Sequence, residues 1–381
     1  MRRISHRAAR GAVAVLAAAL LAGCGSGAVS SGGDASAADA AAHTPSGTIV
    51  ETGSTLLYPV MSKWAAAYQQ HAGVKVTSAA TGSGAGLAAA TSGTADIGAS
   101  DAYLASGDLV KNSSLLNIPL AVSAQQVNYN LPEIGLGTHV RLNGTVLAGM
   151  FDGTITRWND PAVRALNPGL ALPDLKVVPV HRSDSSGDTF LFTSYLSTQD
   201  PTWNDDIGYG TTVSWPAAPG AVAGAHTAGE LAGCQAHPGC VAYNGISYLN
   251  QALADGLGDA ELANAVGTFT LPTPDAINAS VQAFVSITPP NETISLINGP
   301  AAAGYPIVNY EYAVVSTRQP DPAKARELRD FLTWVISTGN SATFLAPVGF
   351  QPLQPTVAAL DRQQICQIGE PADGVHSDPP R

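Results

Sequence analysis

Residues His181 to Phe192, H-R-S-D-S-S-G-D-T-F-L-F, concentrate the side chains of this sequence that are best suited to hold an anion. They follow a short apolar run (Val177, Val178, Pro179, Val180) that reads as a buried strand, and they lead into F-L-F-T-S-Y-L, which has the apolar spacing of a helix. A strand-to-helix turn leaves backbone N–H groups without intrahelical partners at the positive end of a helix dipole, a setting that favours negative charge. This turn adds the guanidinium of Arg182, the hydroxyls of Ser183, Ser185, Ser186 and Thr189, a glycine that lets backbone approach a ligand (Gly187), and the carboxylates of Asp184 and Asp188. The chemistry expected is an oxyanion cradle with acids built into it. A capped helix start, in which Ser and Asp satisfy only the first turn, uses the same residues. The stretch alone does not separate the two readings.

The elements needed to position such a turn recur earlier in the chain. T-I-V-E reads as a strand, and Gly53-Ser54-Thr55 then precedes a helical pattern of Leu57, Val60, Met61, Trp64 and Tyr68. V-K-V-T-S-A-A reads as a strand running into T-G-S-G-A-G-L, which puts Ser83 at a helix start, and A-D-I-G-A-S-D places Ser100 and Asp101 just past another strand. Strands alternating with helices predict an α/β fold with a largely parallel sheet, and ligands in such sheets sit off the carboxyl ends of the strands. G-S-T-L-L-Y (53–58) and G-D-T-F-L-F (187–192) echo one another, as two lobes each aiming a helix start at one ligand would.

Beyond these, N-I-P-L-A-V-S-A and V-N-Y-N-L read as apolar segments, and R-L-N-G-T-V-L-A-G-M-F-D-G as a helix stopped by a glycine turn. The Ala-, Gly- and Pro-rich span 216–239 reads as irregular. Y-P-I-V-N-Y-E-Y-A-V-V reads as a long strand, and Asp321-Pro322 caps a helix with Ala325, Leu328, Leu332, Val335 and Ile336 on one face. Trp158, Trp203 and Trp215 read as packing residues rather than ligand platforms.

With 381 residues and 45% hydrophobic content, the chain is long enough for two domains. Its formal charge of -11, without a basic run, argues against a nucleic-acid partner. Residues 1–24 combine a basic start, a short apolar run and small residues before a cut, the pattern of an export signal. Ending in Leu21-Ala22-Gly23-Cys24, this segment resembles the bacterial lipobox, which implies that Cys24 is lipidated and holds the protein to the outer face of the cell membrane. Its removal takes away Arg2, Arg3, Arg7 and Arg10, leaving 14 of the 18 basic residues against 29 acidic ones. Residues 25–46, rich in Gly, Ser and Ala, read as a flexible tether. Cys234 and Cys240 sit in C-Q-A-H-P-G-C, where an exported protein is expected to form a local disulfide. Cys366 is left over as a thiol near the end of the chain. C-x5-C with His237 between is a poor zinc pattern, and no other metal motif is present, so neither a metal nor a cofactor is expected.

Gly53-Ser54-Thr55, T-G-S-G-A-G, I-G-A-S-D-A-Y-L, Q-Q-V-N-Y-N-L, R-S-D-S-S-G-D-T-F-L-F and Y-P-I-V-N-Y-E-Y, in that order, resemble the phosphate-binding proteins of bacterial Pst ABC transporters (PstS type). The resemblance covers about residues 48 to 360. It implies a type II periplasmic-binding-protein fold: an α/β fold with two lobes, a ligand cleft between them and two hinge crossovers, one near Gln126 to Leu131 and one near Gly304 to Tyr310. Lobe 1 would comprise 47–127 plus 307–365, lobe 2 would comprise 128–306, and 366–381 would be a flexible tail. Carried over by position, the ligand set would be Thr55, Leu56, Ser83, Asp101, Arg182, Ser186 and Gly187, with Ser54 beside it and Asp184 orienting Arg182. The implied ligand is inorganic phosphate and the implied partner is an ABC permease.

Two positions depart from the family pattern R-x-D-G-S-G-T. Ser185 stands where glycine is usual and must accept that backbone conformation. Asp188 stands where threonine is usual; it either accepts a ligand proton or binds through its N–H while its carboxylate caps the helix, and Thr189 is then the candidate for the missing hydroxyl. A carboxylate facing an oxyanion repels it unless the anion has a proton to donate, as hydrogen phosphate does and sulfate at neutral pH does not. Asp101 is therefore expected to accept that proton and to reject sulfate. Three rivals remain. A hydrolase built on His181, Asp184 and Ser186 would crowd its triad into one turn and lacks a G-x-S-x-G elbow. A binder of another oxyanion, and a surface adhesin or antigen, are the alternatives; the adhesin leaves four anion-favouring turns without a purpose.

Overall fold

The apolar runs of the sequence become strands that join into one long sheet. A computed structural model of the chain describes residues 47–369. The export signal, Cys24, the tether over 25–46 and the 370–381 part of the expected tail lie outside the described residues.

The described strands are β1 (Thr48–Gly53), β2 (Lys75–Thr77), β3 (Ile97–Ser100), β4 (Leu115–Tyr129), β5 (Arg141–Leu142), β6 (Val178–Arg182), β7 (Val222–Gly224), β8 (Cys240–Gly245), β9 (Gly258–Asp259), β10 (Glu261–Ala263), β11 (Phe269–Thr270) and β12 (Val308–Ser316). A nine-stranded sheet runs β2-β1-β3-β12-β4-β8-β6-β7, with β9 also on β4, and β11-β10-β5 form a small second sheet. Pairing is parallel at both ends, among β1, β2 and β3 and among β6, β7 and β8. The middle corrects the expectation of a largely parallel sheet: β12 is antiparallel to β3 and β4, and β4 is antiparallel to β8 and β9. The two segments read separately as N-I-P-L-A-V-S-A and V-N-Y-N-L are one 15-residue strand, β4, buried at every position. A strand buried on both faces shows no alternation, and the polar pair Gln125-Gln126 within it breaks the apolar run by which its continuity would be recognised.

β4 belongs to both halves of the sheet. It pairs with β12 as far as Ala124 opposite Val308, then with β8 from Gln125 opposite Gly245. The β12 register slips between Glu311 and Tyr312, which face Ala121 and Pro119 and leave Leu120 as the extra residue. Proline has no N–H to give the ladder, so a bulge beside Pro119 is where the sheet loses least.

Helix Tyr58–Ala72 buries Val60, Met61, Trp64 and Tyr68, the face its spacing predicts, and the Trp64 indole N–H donates to Gly339 O at 2.8 Å. Asp321 caps helix Pro322–Val335 by accepting from Ala323 N, and Ala325, Leu328, Leu332 and Val335 are buried. Trp158 and Trp203 are core residues whose indole N–H groups donate to Gly239 O (2.9 Å) and Gly208 O (3.0 Å). Trp215 stacks on His181, ring centroids 4.7 Å apart.

Two expectations about irregular chain are corrected. The span 216–239 contains β7 and helix His226–Ala236. Its small residues serve close packing, because a Cβ on Gly224 would lie 2.5 Å from the backbone of Gly229 and Glu230. The expected tail also begins too early: Cys366 is exposed but ends helix Pro355–Cys366, and Ile368 beyond it is buried.

Cys234 and Cys240 form a disulfide with Cα atoms 5.1 Å apart, tying the end of helix His226–Ala236 to the start of β8. Closing so short a loop constrains the unfolded chain by about 2 kcal/mol. Replacing both cysteines by serine is expected to lower stability by at least that amount, since both side chains are buried, and urea unfolding at matched pH measures it.

Candidate functional site

The turn after β6 is built as a helix cap. Ser186 has extended backbone angles, and its hydroxyl accepts from Asp188 N at 3.1 Å, which starts helix Gly187–Gln199. Arg182 closes β6 with its N–H donating to Tyr243 OH at 3.0 Å and its guanidinium wholly buried. Asp184 grips that guanidinium through both oxygens, from Nε at 2.8 Å and from Nη2 at 2.5 Å, and accepts His226 N at 2.9 Å. This paired geometry fixes the plane of Arg182. Nη1 then reaches Thr55 Oγ1 at 3.2 Å and Asp188 Oδ2 at 3.0 Å.

The turns that precede β4 in the chain meet this one. Ser54 donates its hydroxyl to Asp101 and accepts Leu57 N at 2.9 Å. Ser83 donates to Asp101 Oδ2 at 3.3 Å and accepts Asp101 N at 3.2 Å. Thr55 Oγ1 also accepts from Thr227 Oγ1 at 2.8 Å, and Leu56 packs on Gly245, where a Cβ would lie 2.2 Å from Leu56 Cδ1. Three helices therefore begin around one spot, at Tyr58, Ser83 and Gly187. Ser54, Thr55, Leu56, Ser83, Asp101, Arg182, Asp184, Ser186, Gly187 and Asp188 are brought together, all buried except the half-buried Asp184. Thr189 is close by, its hydroxyl 2.9 Å from Tyr243 OH, the same oxygen that accepts Arg182 N.

Ser185 needs no special backbone: the described non-glycine residues with positive φ are His226, Glu292 and Asn298. Its bulk is matched across the gap by Gly84, where a Cβ would fall 2.0 Å from Ser185 Oγ, and Gly84 N donates to Ser185 O at 3.2 Å. Gly187 is also closely approached, because a Cβ there would lie 2.3 Å from Asp101 Oδ2. Gly187→Ala leaves a helix-compatible residue in place yet keeps the two turns apart. It is expected to weaken anion binding at least ~10²-fold, as a misplacement of about 1 Å can, with little change in urea stability; calorimetry measures the first and denaturation the second.

The charge inventory is unusual: one cation amid five carboxyl groups. Burial works against the Asp184 anion, but the hydrogen bonds and charge of Arg182 outweigh it and hold Asp184 below the usual range. Burial also opposes the Arg182 charge, and Asp184, Asp188 and Glu230 more than offset it. Asp188, desolvated and facing Asp101, is pushed up to about 7 despite Arg182 and Gln125. Burial raises Asp101, Glu230 and Glu311 as well. Such a site can accept protons from a guest, and it admits an anion only if acids give up negative charge or the anion brings hydrogen.

Several contributors escaped the sequence reading. Gln125 donates to Asp188 O (2.8 Å) and Oδ1 (3.1 Å), Thr227 supports Thr55, Tyr243 supports Arg182 and Thr189, and Glu230 and Glu311 lie buried behind the site. Gln125 and Glu311 left a signal, a polar residue within an apolar strand. Thr227 left none, sitting in the span read as irregular. His181, Asp184 and Ser186 form no triad: His181 Nδ1 contacts Arg182 O at 3.0 Å, and Ser186 caps the helix.

Residues 38–338 match the PBP superfamily domain. The phosphate-binding protein PstS of Methanocaldococcus jannaschii is 36% identical over 351 residues, covering 86% of this chain and 88% of that protein. The phosphate-binding protein PstS of Xylella fastidiosa (strain 9a5c) is 32% identical over 329 residues, covering 86% and 88%. Among solved structures, the phosphate-binding protein of Stenotrophomonas maltophilia superposes with a TM-score of 0.61 at 20% identity, covering 83% of this chain and 93% of that one. The sheet and site thus belong to a two-lobed periplasmic-binding-protein fold.

Proposed function

The chain belongs to the PstS family of phosphate-binding proteins, and on that premise we propose that it captures inorganic phosphate outside the cytoplasm and delivers it to the membrane subunits of an ABC importer. The observation that carries the reading is the meeting of three helix starts and Arg182 with an acid, Asp101, beside Gly187. Phosphate oxygens are received by the hydroxyls of Thr55 and Ser83, by the N–H groups at Leu56 and Gly187, by Ser186 and by Arg182. Ser54 and Asp184 hold Asp101 and Arg182 in place. Asp101 takes the proton of the anion, and Asp188, buried against Arg182, is the second proton acceptor. This is a site for holding and releasing rather than for reaction.

Binding closes two lobes, 47–127 with 307–365 and 128–306, about the point where β4 exchanges β12 for β8. The proposed lipid on Cys24 and the tether after it keep the body at the outer face of the membrane, within reach of the permease. Among the described residues no helix is long and apolar enough to cross a membrane.

Calorimetry of the lipid-free protein tests the reading. Phosphate is expected to bind with about -8 kcal/mol or better, the micromolar range, and sulfate ~10⁴-fold more weakly. Equal affinity for the two anions would end it.

A further inference from the structure

Behind Asp101 lies a second carboxyl group that the ligand set leaves unused. Glu311 is fully buried in β12 at the residue where the register slips. Its Oε1 accepts Ser123 Oγ at 2.5 Å and Asn309 Nδ2 at 2.9 Å, and its Oε2 lies 3.4 Å from the same Ser54 hydroxyl that Asp101 engages. Asn309 Nδ2 also contacts Asp101 O at 3.4 Å. Ser54 has one proton to give and two carboxyl groups beside it. Arg182 forms its ion pairs with Asp184 and Asp188, not with either member of this couple. Two buried carboxylates sharing one site cannot both stay charged, so the couple retains a proton.

The surroundings decide which oxygen keeps it. Asp101 faces the helix start at Gly187 and feels the field of Arg182, both of which favour its charged form. On Glu311, Oε1 is filled by two donors, which leaves Oε2 as the oxygen able to carry hydrogen. We propose that Glu311 is a positioning residue that holds a proton on Oε2 and directs it at Asp101, so that Asp101 stays the charged acceptor for the hydroxyl of the bound anion. Burial and the neighbouring charge of Asp101 push Glu311 well above the ordinary carboxylate range, in keeping with that arrangement. The charged or titrating groups facing the couple are Arg182 at the end of β6 and, beyond it, Asp188 on helix Gly187–Gln199. The inference rests on the phosphate reading for its consequence, not for the position of the proton.

The test separates the two. In infrared spectra of the ligand-free protein, the carbonyl stretch of a protonated carboxylic acid should be present at neutral pH and lose one component in Glu311→Gln. Glutamine can keep an N–H directed at Asp101 and an oxygen for Ser123, so phosphate affinity by calorimetry should stay within about threefold of wild type; Glu311→Ala, which removes a hydrogen bond to a charged group, should lose ~10–100-fold. Should Glu311→Gln not fold, wild-type protein labelled with ¹³C at the glutamate carboxyls should still show a phosphate-induced shift of a protonated glutamate band that Asp101→Asn abolishes. Spectra without that component or shift, or Glu311→Gln binding as weakly as Glu311→Ala, overturn the proposal. A wild-type protein that shows the infrared component but binds no phosphate would instead defeat the functional reading.

Discussion

Arg182→Ala is expected to lose phosphate affinity by more than ~10³-fold and to destabilise the ligand-free protein by about 3–5 kcal/mol. Both effects have one source. The guanidinium is wholly buried and holds Asp184 through Nε and Nη2 and both Asp188 and Thr55 through Nη1, so its loss strands two acids as well as removing the one cation among the groups that meet here. The loss should depend on pH in a definite direction. Without Arg182 the Asp188 carboxyl, already raised to about 7, rises further, so acid conditions neutralise it and relieve the strain. The deficit should therefore be larger at about pH 8 than at about pH 5. Urea unfolding at the two pH values and calorimetry at neutral pH read the outcome. Binding within tenfold of wild type, or a deficit that grows on acidification, would contradict the account.

Asp101→Asn should change what the site selects more than whether it folds. Asparagine still accepts from Ser54, but its amide donates where the carboxylate accepted, so the phosphate hydroxyl loses its acceptor while a bare sulfate oxygen gains a donor. The phosphate-to-sulfate ratio is expected to fall from ~10⁴ to within about tenfold of unity, the range left when a site no longer reads a hydrogen. Paired titrations with the two anions measure it, and an unchanged ratio would place the discrimination elsewhere. Stability moves the other way. The folded-state pKa of Asp101 lies above its unfolded value because of burial, so its contribution is greatest in acid and declines as pH rises through the folded value. The variant should escape that decline, with melting temperatures that change less than wild type between about pH 5 and pH 8.

The residues that meet at the site were legible because they sit on glycine-marked strand-to-helix turns, a local pattern that survives without knowledge of the fold. Ser54, Thr55, Ser83, Asp101 and Arg182 all come from such turns. What local pattern could not supply was partnership across the sheet. Gln125 falls between two segments read separately and Glu311 within a strand, and only the pairing of β4 with β12 and β8 brings them to the site. Thr227 was hidden for a different reason: the Ala and Gly that let β7 and the following helix touch are the residues that read as irregular chain. The contact of Thr189 with Tyr243, 54 positions away, likewise left no trace in the local sequence.

The central position of β4 bears on how the chain comes to fold. Its first ten residues lie against a strand that begins at Val308, more than 180 positions later, while its last five lie against β8. A ribosome that has released the first third of the polypeptide has thus produced an edge with no mate, and the N-terminal portion has nothing to close upon until synthesis is nearly finished. Such distant pairings make for slow folding, so the sheet is completed only after the segment from Val308 onward has been made.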